Sequence, residues 1–169
     1  KQKLIPYTYP SEQEFIDSNI QIIYLGWFLG DWSHKNNSAY SVLSGLDIRG
    51  DDELDSVENT GDLHRSTSLD ENWVTLNQLI KYYKFGFGRV TDYLSEDIRL
   101  GRIDRADAIK LVQKYDSSCS NEFISTFTDY IGISTLDFWK IIHKSLNRDL
   151  FSVDHNGVIT PKFMVGVGL

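Results

Sequence analysis

Residues 82–102 read "YYKFGFGRVTDYLSEDIRLGR", with two glycines one residue apart, Lys84 before them and Arg89 after them. The stretch is either a tight corner between two helices or a loop that cradles an anion. A dinucleotide loop needs G-x-G-x-x-G opening a helix directly after a strand. Here the third Gly is absent, and the residues before Gly86 have a helical period: Trp73, Leu76, Ile80 and Tyr83 fall at i, i+3, i+7 and i+10. The pattern G-x-x-x-x-G-K-[ST] occurs nowhere in the chain. What remains is a helix that Gly86 ends at low conformational cost, followed by a second from about Gly88 to Leu100.

That second helix has an apolar face of Val90, Tyr93, Leu94 and Ile98, and a charged face of Arg89, Asp92, Glu96 and Arg99. The charged face fits a solvated stripe with ion pairs three or four residues apart. It also fits an anion site. Arg89 sits in the first turn, where free amides and the helix dipole favour negative charge, and Lys84 precedes the corner. In that reading Lys84 and Arg89 hold a phosphate or carboxylate and Asp92 orients Arg89.

Outward from the corner the pattern stays helical. Ser68 and Glu71 have capping-box spacing ahead of the first helix. Asp104 caps a third helix with Ala108, Leu111, Val112 and Tyr115 on one face. A fourth follows Ser120, with Phe123, Phe127, Tyr130 and Ile131, and stops at Gly132. A fifth starts at Ser134 and packs Phe138, Ile141 and Ile142. Near the end, Asn156-Gly157 between apolar residues predicts a two-residue hairpin.

Towards the N-terminus, Ser11 and Glu14 have capping-box spacing before a short helix, and "IQIIYLGWF" over residues 20–28 is nearly all apolar. Such a run predicts a strand covered on both faces. Trp27, Phe28 and Trp32 would then line a pocket at its end. Residues 31–70 are polar and acidic, with a short helix expected around Ala39–Leu43 and the rest a long loop. The expected fold is mainly α: about five helices, preceded by a helix–strand remnant of an α/β sheet and followed by a short β-hairpin. Its segments are 1–30 (helix–strand unit), 31–70 (acidic loop), 71–149 (helical domain) and 150–169 (hairpin tail).

Composition narrows the function. Of 169 residues, 41% are hydrophobic and 24% charged, and the formal charge is −7. Residues 1–72 hold 5 Lys/Arg against 13 Asp/Glu, whereas 81–114 hold 8 against 5. No concentrated basic surface is available for nucleic acid. No apolar run approaches the ~20 residues that span a bilayer, so membrane insertion is not expected. With one cysteine, Cys119, no internal disulfide can form, which fits a cytoplasmic location. Cys119 reads as a bystander thiol. His34, His64, His143 and His155 are scattered, without metal-ligand spacing. Asp51, Asp52, Glu53 and Asp55 read as a solvated acidic loop. The chain opens on Lys1 rather than Met and is expected to be a piece of something longer.

Three blocks carry a resemblance. Lys84, Gly86, Phe87, Gly88, Arg89, Thr91 and Asp92 form the first. Ile98, Arg99, Gly101, Arg102 and Arg105 form the second, and Leu111, Val112, Tyr115 and Asp116 the third. Together they resemble the C-terminal half of the N-acetyl sugar amidotransferases of surface-polysaccharide biosynthesis, within the PP-loop ATP pyrophosphatase superfamily. The run "DYIGISTLDFWKII" is similar to that family's closing helices.

The resemblance implies an enzyme that uses ATP with Mg to activate the acetamido carbonyl of an N-acetyl sugar or sugar nucleotide. Ammonia from a partner glutaminase then replaces the oxygen, giving an acetamidino group. The family's Ser-Gly-Gly-x-Asp-Ser loop is absent from this sequence, so the chain alone is not expected to turn over. Lys84, Gly86, Gly88, Arg89, Asp92 and Arg99 are the implied substrate- or phosphate-binding residues, Arg99 with Asp92 and Glu96 as partners. Arg102 and Arg105, beyond the helix-ending Gly101, are second-line candidates. Arg89→Ala is expected to leave folding intact. The competing expectation is a non-catalytic helical module that docks a partner such as the glutaminase, with the corner purely structural.

Overall fold

The computed structural model describes residues 8–30, 32–50 and 52–168. The chain forms two compact units, residues 1–32 and 33–169.

In the first unit Ser11 caps α1 (Glu12–Asp17) as its spacing predicts. The Ser11 hydroxyl accepts from the Glu14 amide, and the Glu14 carboxylate accepts from the Ser11 N–H at 2.9 Å. The strand expected over Ile20–Leu29 does not form. Its backbone is irregular apart from a single 3-10 turn, Leu25–Trp27. Ile22, Ile23, Leu25, Trp27 and Phe28 are all more than half exposed. β-propensity needs a neighbouring strand to take up the ladder hydrogen bonds, and no strand pairs with this run among the described residues. Trp27, Phe28 and Trp32 do line open apolar hollows on this unit, although not at a strand end.

The second unit is helical: α2 (His34–Leu43), α3 (Val57–Thr60), α4 (Trp73–Phe85), α5 (Arg89–Arg99), α6 (Arg105–Tyr115), α7 (Asn121–Ile131) and α8 (Thr135–Ser145). A hairpin of β1 (Phe151–Val153) and β2 (Ile159–Pro161) follows, with Ser152 opposite Thr160. Most boundaries follow local chemistry. Asp104, Ser120 and Ser134 each accept an N-terminal amide through the side chain, and Gly86 and Gly132 close α4 and α7 at φ +79 and +73. The hairpin has a three-residue loop rather than two. Asp154 pairs with Val158, its carboxylate accepts from the Asn156 and Val158 amides, and Gly157 takes the left-handed position.

Ser68 does not cap α4. Its backbone is left-handed (φ +52) and its carbonyl accepts from Arg49 and from the Glu71 amide, so the helix starts four residues later. Glu71 supplies the cap instead, its carboxylate accepting from the Trp73 N–H at 2.6 Å.

Two apolar clusters hold these helices. Leu76 and Leu79 of α4 meet Ile124 of α7 and Phe138 and Ile142 of α8. Val90 and Leu94 of α5 meet Ala108 of α6. Not every expected core position is inside: Ile98, Tyr130, Ile131 and Ile141 are exposed. The hairpin packs through Phe151, buried beside the rings of Tyr82, Tyr83 and Phe163 at 5.3–5.8 Å. Each such aromatic pair contributes about 0.5–1.5 kcal/mol beyond its buried area.

The segment over 33–70 is organised by buried polar groups rather than forming one long loop. Ser33, Arg49, Thr60 and Asp62 are all buried. Arg49 bonds Asp55 and Asn72 at 3.0 Å and the Ser68 carbonyl at 2.9 Å. Asp55 is therefore a structural anchor rather than part of a solvated acidic stretch. Asp51 lies outside the described residues.

Candidate functional site

The two glycines of the corner do different work. Gly86 ends α4 in a left-handed conformation. Gly88 is extended, with φ −122 and ψ −156, so backbone freedom is not its reason. A Cβ there would collide with the Asp116 carbonyl oxygen and stand 3.1 Å from Asp116 Oδ1. Gly88 is small because Asp116 lies against it.

Asp116 is buried and takes over the start of α5. Its Oδ2 accepts from the Gly88 N–H at 2.9 Å and from Thr91 Oγ1 at 2.7 Å, and its Oδ1 accepts from the Thr91 N–H at 2.9 Å. The first turn of α5 thus holds an anion, and that anion is the protein's own carboxylate. Tertiary folding brings together Gly88, Thr91 and Asp116, which belong to blocks 25 residues or more apart in the chain.

Arg89 points elsewhere. Its side chain is 6% exposed, and Nη1 lies 3.8 Å from Asp62 Oδ2; Asp62 itself is fully buried. The Asp62 carboxylate accepts from the His64, Arg65 and Thr67 amides at 3.1 Å, so it is held by its own loop. At 3.8 Å the contact with Arg89 is an ion pair and not a hydrogen bond. Both Nη1 and Nη2 of Arg89 are buried without a hydrogen-bond partner among the described residues. An unpartnered buried donor costs about 1–3 kcal/mol, more when charged, so this guanidinium has unused capacity for an acceptor.

Around the Arg89–Asp62 pair stand residues that linear spacing keeps apart. The rings of His34 and His64 contact the Tyr93 ring at 4.9 and 4.8 Å and lie 6.3 Å from each other. Tyr93 is buried and shares a 2.5 Å hydrogen bond with Thr67. Burial pushes the Tyr93 hydroxyl up to about 12, and the Asp62 charge adds to that. Burial also pushes the His64 imidazole below its ordinary value, against the pull of Asp97 and Asp62. His34 and His64 are thus neighbours in space, although scattered in sequence. Among the described residues no group of three or more His, Cys, Asp or Glu is placed to hold a metal.

The other sequence-predicted residues disperse. Asp92 does not orient Arg89; its carboxylate pairs with Lys81 of α4. Glu96 does not partner Arg99; it accepts from the His34 N–H at 2.8 Å and so caps α2, while Arg99 is exposed. Lys84 is exposed, and its carbonyl accepts from Asn147. Arg102 joins α5 to α2, bonding Asp97 at 3.1 Å, Ser33 at 2.9 Å and Asn36 at 2.8 Å. Arg105 donates to the Gly166 carbonyl at 2.6 Å. Of the eight, Arg89 alone is buried with donors that lack an acceptor among the described residues, and Gly88 lies against Asp116 one residue before it.

The chain belongs to the family described as LPS biosynthesis protein WbpG-like, C-terminal domain, which matches residues 63–164. Membership places the chain among proteins of lipopolysaccharide biosynthesis and covers all three sequence blocks together with Asp62's near neighbours His64 and Thr67. No curated protein matches the chain. Among the described residues no helix is long and apolar enough to cross a membrane.

Proposed function

We propose that this chain is the substrate-binding C-terminal portion of an ATP-dependent N-acetyl sugar amidotransferase of surface-polysaccharide biosynthesis. The reaction converts an acetamido group to an acetamidino group, with ammonia from a glutaminase partner. Two lines support the reading: the resemblance in the Lys84–Asp116 blocks and membership of an LPS-biosynthesis family. The observation that carries it is Arg89, a buried guanidinium whose terminal nitrogens lack acceptors among the described residues. Such a fork matches a carboxylate or phosphate in two parallel bonds.

The residues present do not fit ATP. The sequence has no Ser-Gly-Gly-x-Asp-Ser loop, and two of the amides opening α5, those of Gly88 and Thr91, are taken by Asp116. ATP and its Mg are therefore assigned to no residue of this chain. What the chain supplies is recognition: Arg89 for an acidic group, with His34, His64 and Tyr93 shaping its surroundings.

Arg89→Lys in the complete enzyme tests this, because it keeps the charge beside Asp62 and removes the fork. The expected result is at least about tenfold weaker sugar-nucleotide binding with an unchanged thermal melt, one lost charged bond being worth roughly 1.5–3 kcal/mol. Wild-type affinity and turnover would take Arg89 out of the site. The alternative, a docking module for the glutaminase, is favoured by an apolar groove of about 440 Å³ between Phe85, Phe87, Leu150, Phe163 and Met164. It predicts that Phe87→Glu weakens partner binding and leaves sugar-nucleotide titration unchanged.

A further inference from the structure

We propose that the cleft between α4, the C-terminal end of α6 and the segment after β2 binds the neutral pyranose ring of the sugar substrate. The proposal rests on the reading of the chain as a sugar-binding portion and assigns the ring to a place distinct from Arg89. The cleft measures about 270 Å³, below the roughly 300 Å³ at which pockets for drug-sized ligands begin, and suits one monosaccharide unit.

Its lining has the two chemistries that a pyranose presents. Tyr82 and Phe163 offer aromatic rings to the C–H-bearing face of a sugar. Tyr82, Gln113 and Ser117 carry side-chain polar groups that make no hydrogen bond among the described residues. Asp116 also lines the cleft, with three donors on its carboxylate where about four can be accepted. The Tyr82 hydroxyl is pushed up to about 12, first by burial and then by the Asp116 charge, so it stays protonated as a donor.

Charge decides the ligand class. Among the described residues the ionic group lining the cleft is the Asp116 carboxylate, and no Lys or Arg lines it. A phosphate would be repelled and left without a counter-charge; a neutral polyol can donate to the carboxylate. The nucleotide of a sugar nucleotide therefore lies outside this cleft. The site is preorganised as well, because Asp116 is locked by Gly88 and Thr91.

The test is calorimetric titration of the full-length protein with N-acetylglucosamine and, separately, with its uridine diphosphate derivative. Wild type is compared with Tyr82→Phe, Gln113→Ala and Arg89→Lys, each first shown to melt as wild type does. Loss of one neutral hydrogen bond predicts roughly threefold to tenfold weaker binding of the free sugar in Tyr82→Phe and in Gln113→Ala. Arg89→Lys should weaken only the uridine diphosphate derivative. Equal free-sugar affinity in wild type and both cleft variants would overturn the cleft and leave the sugar-binding reading standing. Failure of wild type to bind either compound would overturn both.

Discussion

Gly88→Ala puts the internal cap of α5 to a direct test. The added Cβ would collide with the backbone carbonyl oxygen of Asp116, which cannot rotate aside as a flexible side chain would. Either α5 and the end of α6 separate by several tenths of an ångström, or the corner distorts. Separation lengthens the 2.9 Å bonds from the Gly88 and Thr91 amides and the 2.7 Å bond from Thr91 Oγ1. Overpacking alone costs about 1–3 kcal/mol, and loss of a helix N-cap about 0.5–2 kcal/mol. The expected total is about 2–4 kcal/mol. For a chain of this size that lowers the melting temperature by roughly 5–15 °C. Gly101→Ala is the control, since its φ is +69 and a Cβ there meets nothing within 4 Å. It should cost only about 1 kcal/mol of backbone strain. Gly86→Ala should fall between them, with the same kind of strain at φ +79 and Leu150 Cδ1 at 3.1 Å. Urea unfolding of the three variants ranks them. A Gly88→Ala protein within about 0.5 kcal/mol of wild type would refute the close approach and the cap with it.

Arg89→Ala removes the counter-charge of the buried Asp62 carboxylate, which keeps its three backbone donors, and should destabilise by about 3–5 kcal/mol, contrary to the sequence-based expectation of intact folding; Asp62→Ala/Arg89→Ala in urea should cost less than the two single changes summed. The His64 imidazole titrates below its ordinary 6.5 in the folded state, so the unfolded chain takes up that proton first as pH falls. The stability it contributes is therefore present above about pH 6.5 and declines as pH falls through the folded value, a slope that His64→Gln should flatten in urea midpoints read from about pH 8 to 5. Burial pushes the Cys119 thiol up to about 12, so a thiol reagent at about pH 8 should leave native protein unlabelled and label it in urea; rapid native labelling would contradict that burial.

Much of the helical frame was legible locally. Ser11, Asp104, Ser120 and Ser134 cap where their spacing says they should, and Gly86 and Gly132 terminate helices, because capping involves groups within four residues of each other. Apolar spacing found the buried faces of α4, α5 and α8 but placed Tyr130, Ile131 and Ile141 inside where the fold leaves them exposed. Periodicity names a face and not what covers it. The run at 20–28 shows the same limit: apolar content predicts a strand, and pairing decides whether one exists.

The candidate site divides along the same line. Residue order alone shows that a glycine corner joins two helices, that no nucleotide loop is present, and that Arg89 opens the second helix. Folding adds that the anion at that helix start is Asp116, that Arg89 turns to Asp62 rather than Asp92, and that His34 and His64 meet on Tyr93. The reason is range. Capping and helical period act over three or four residues, whereas a buried charge takes whichever partner the folded chain brings within a few ångströms, here 27 residues upstream.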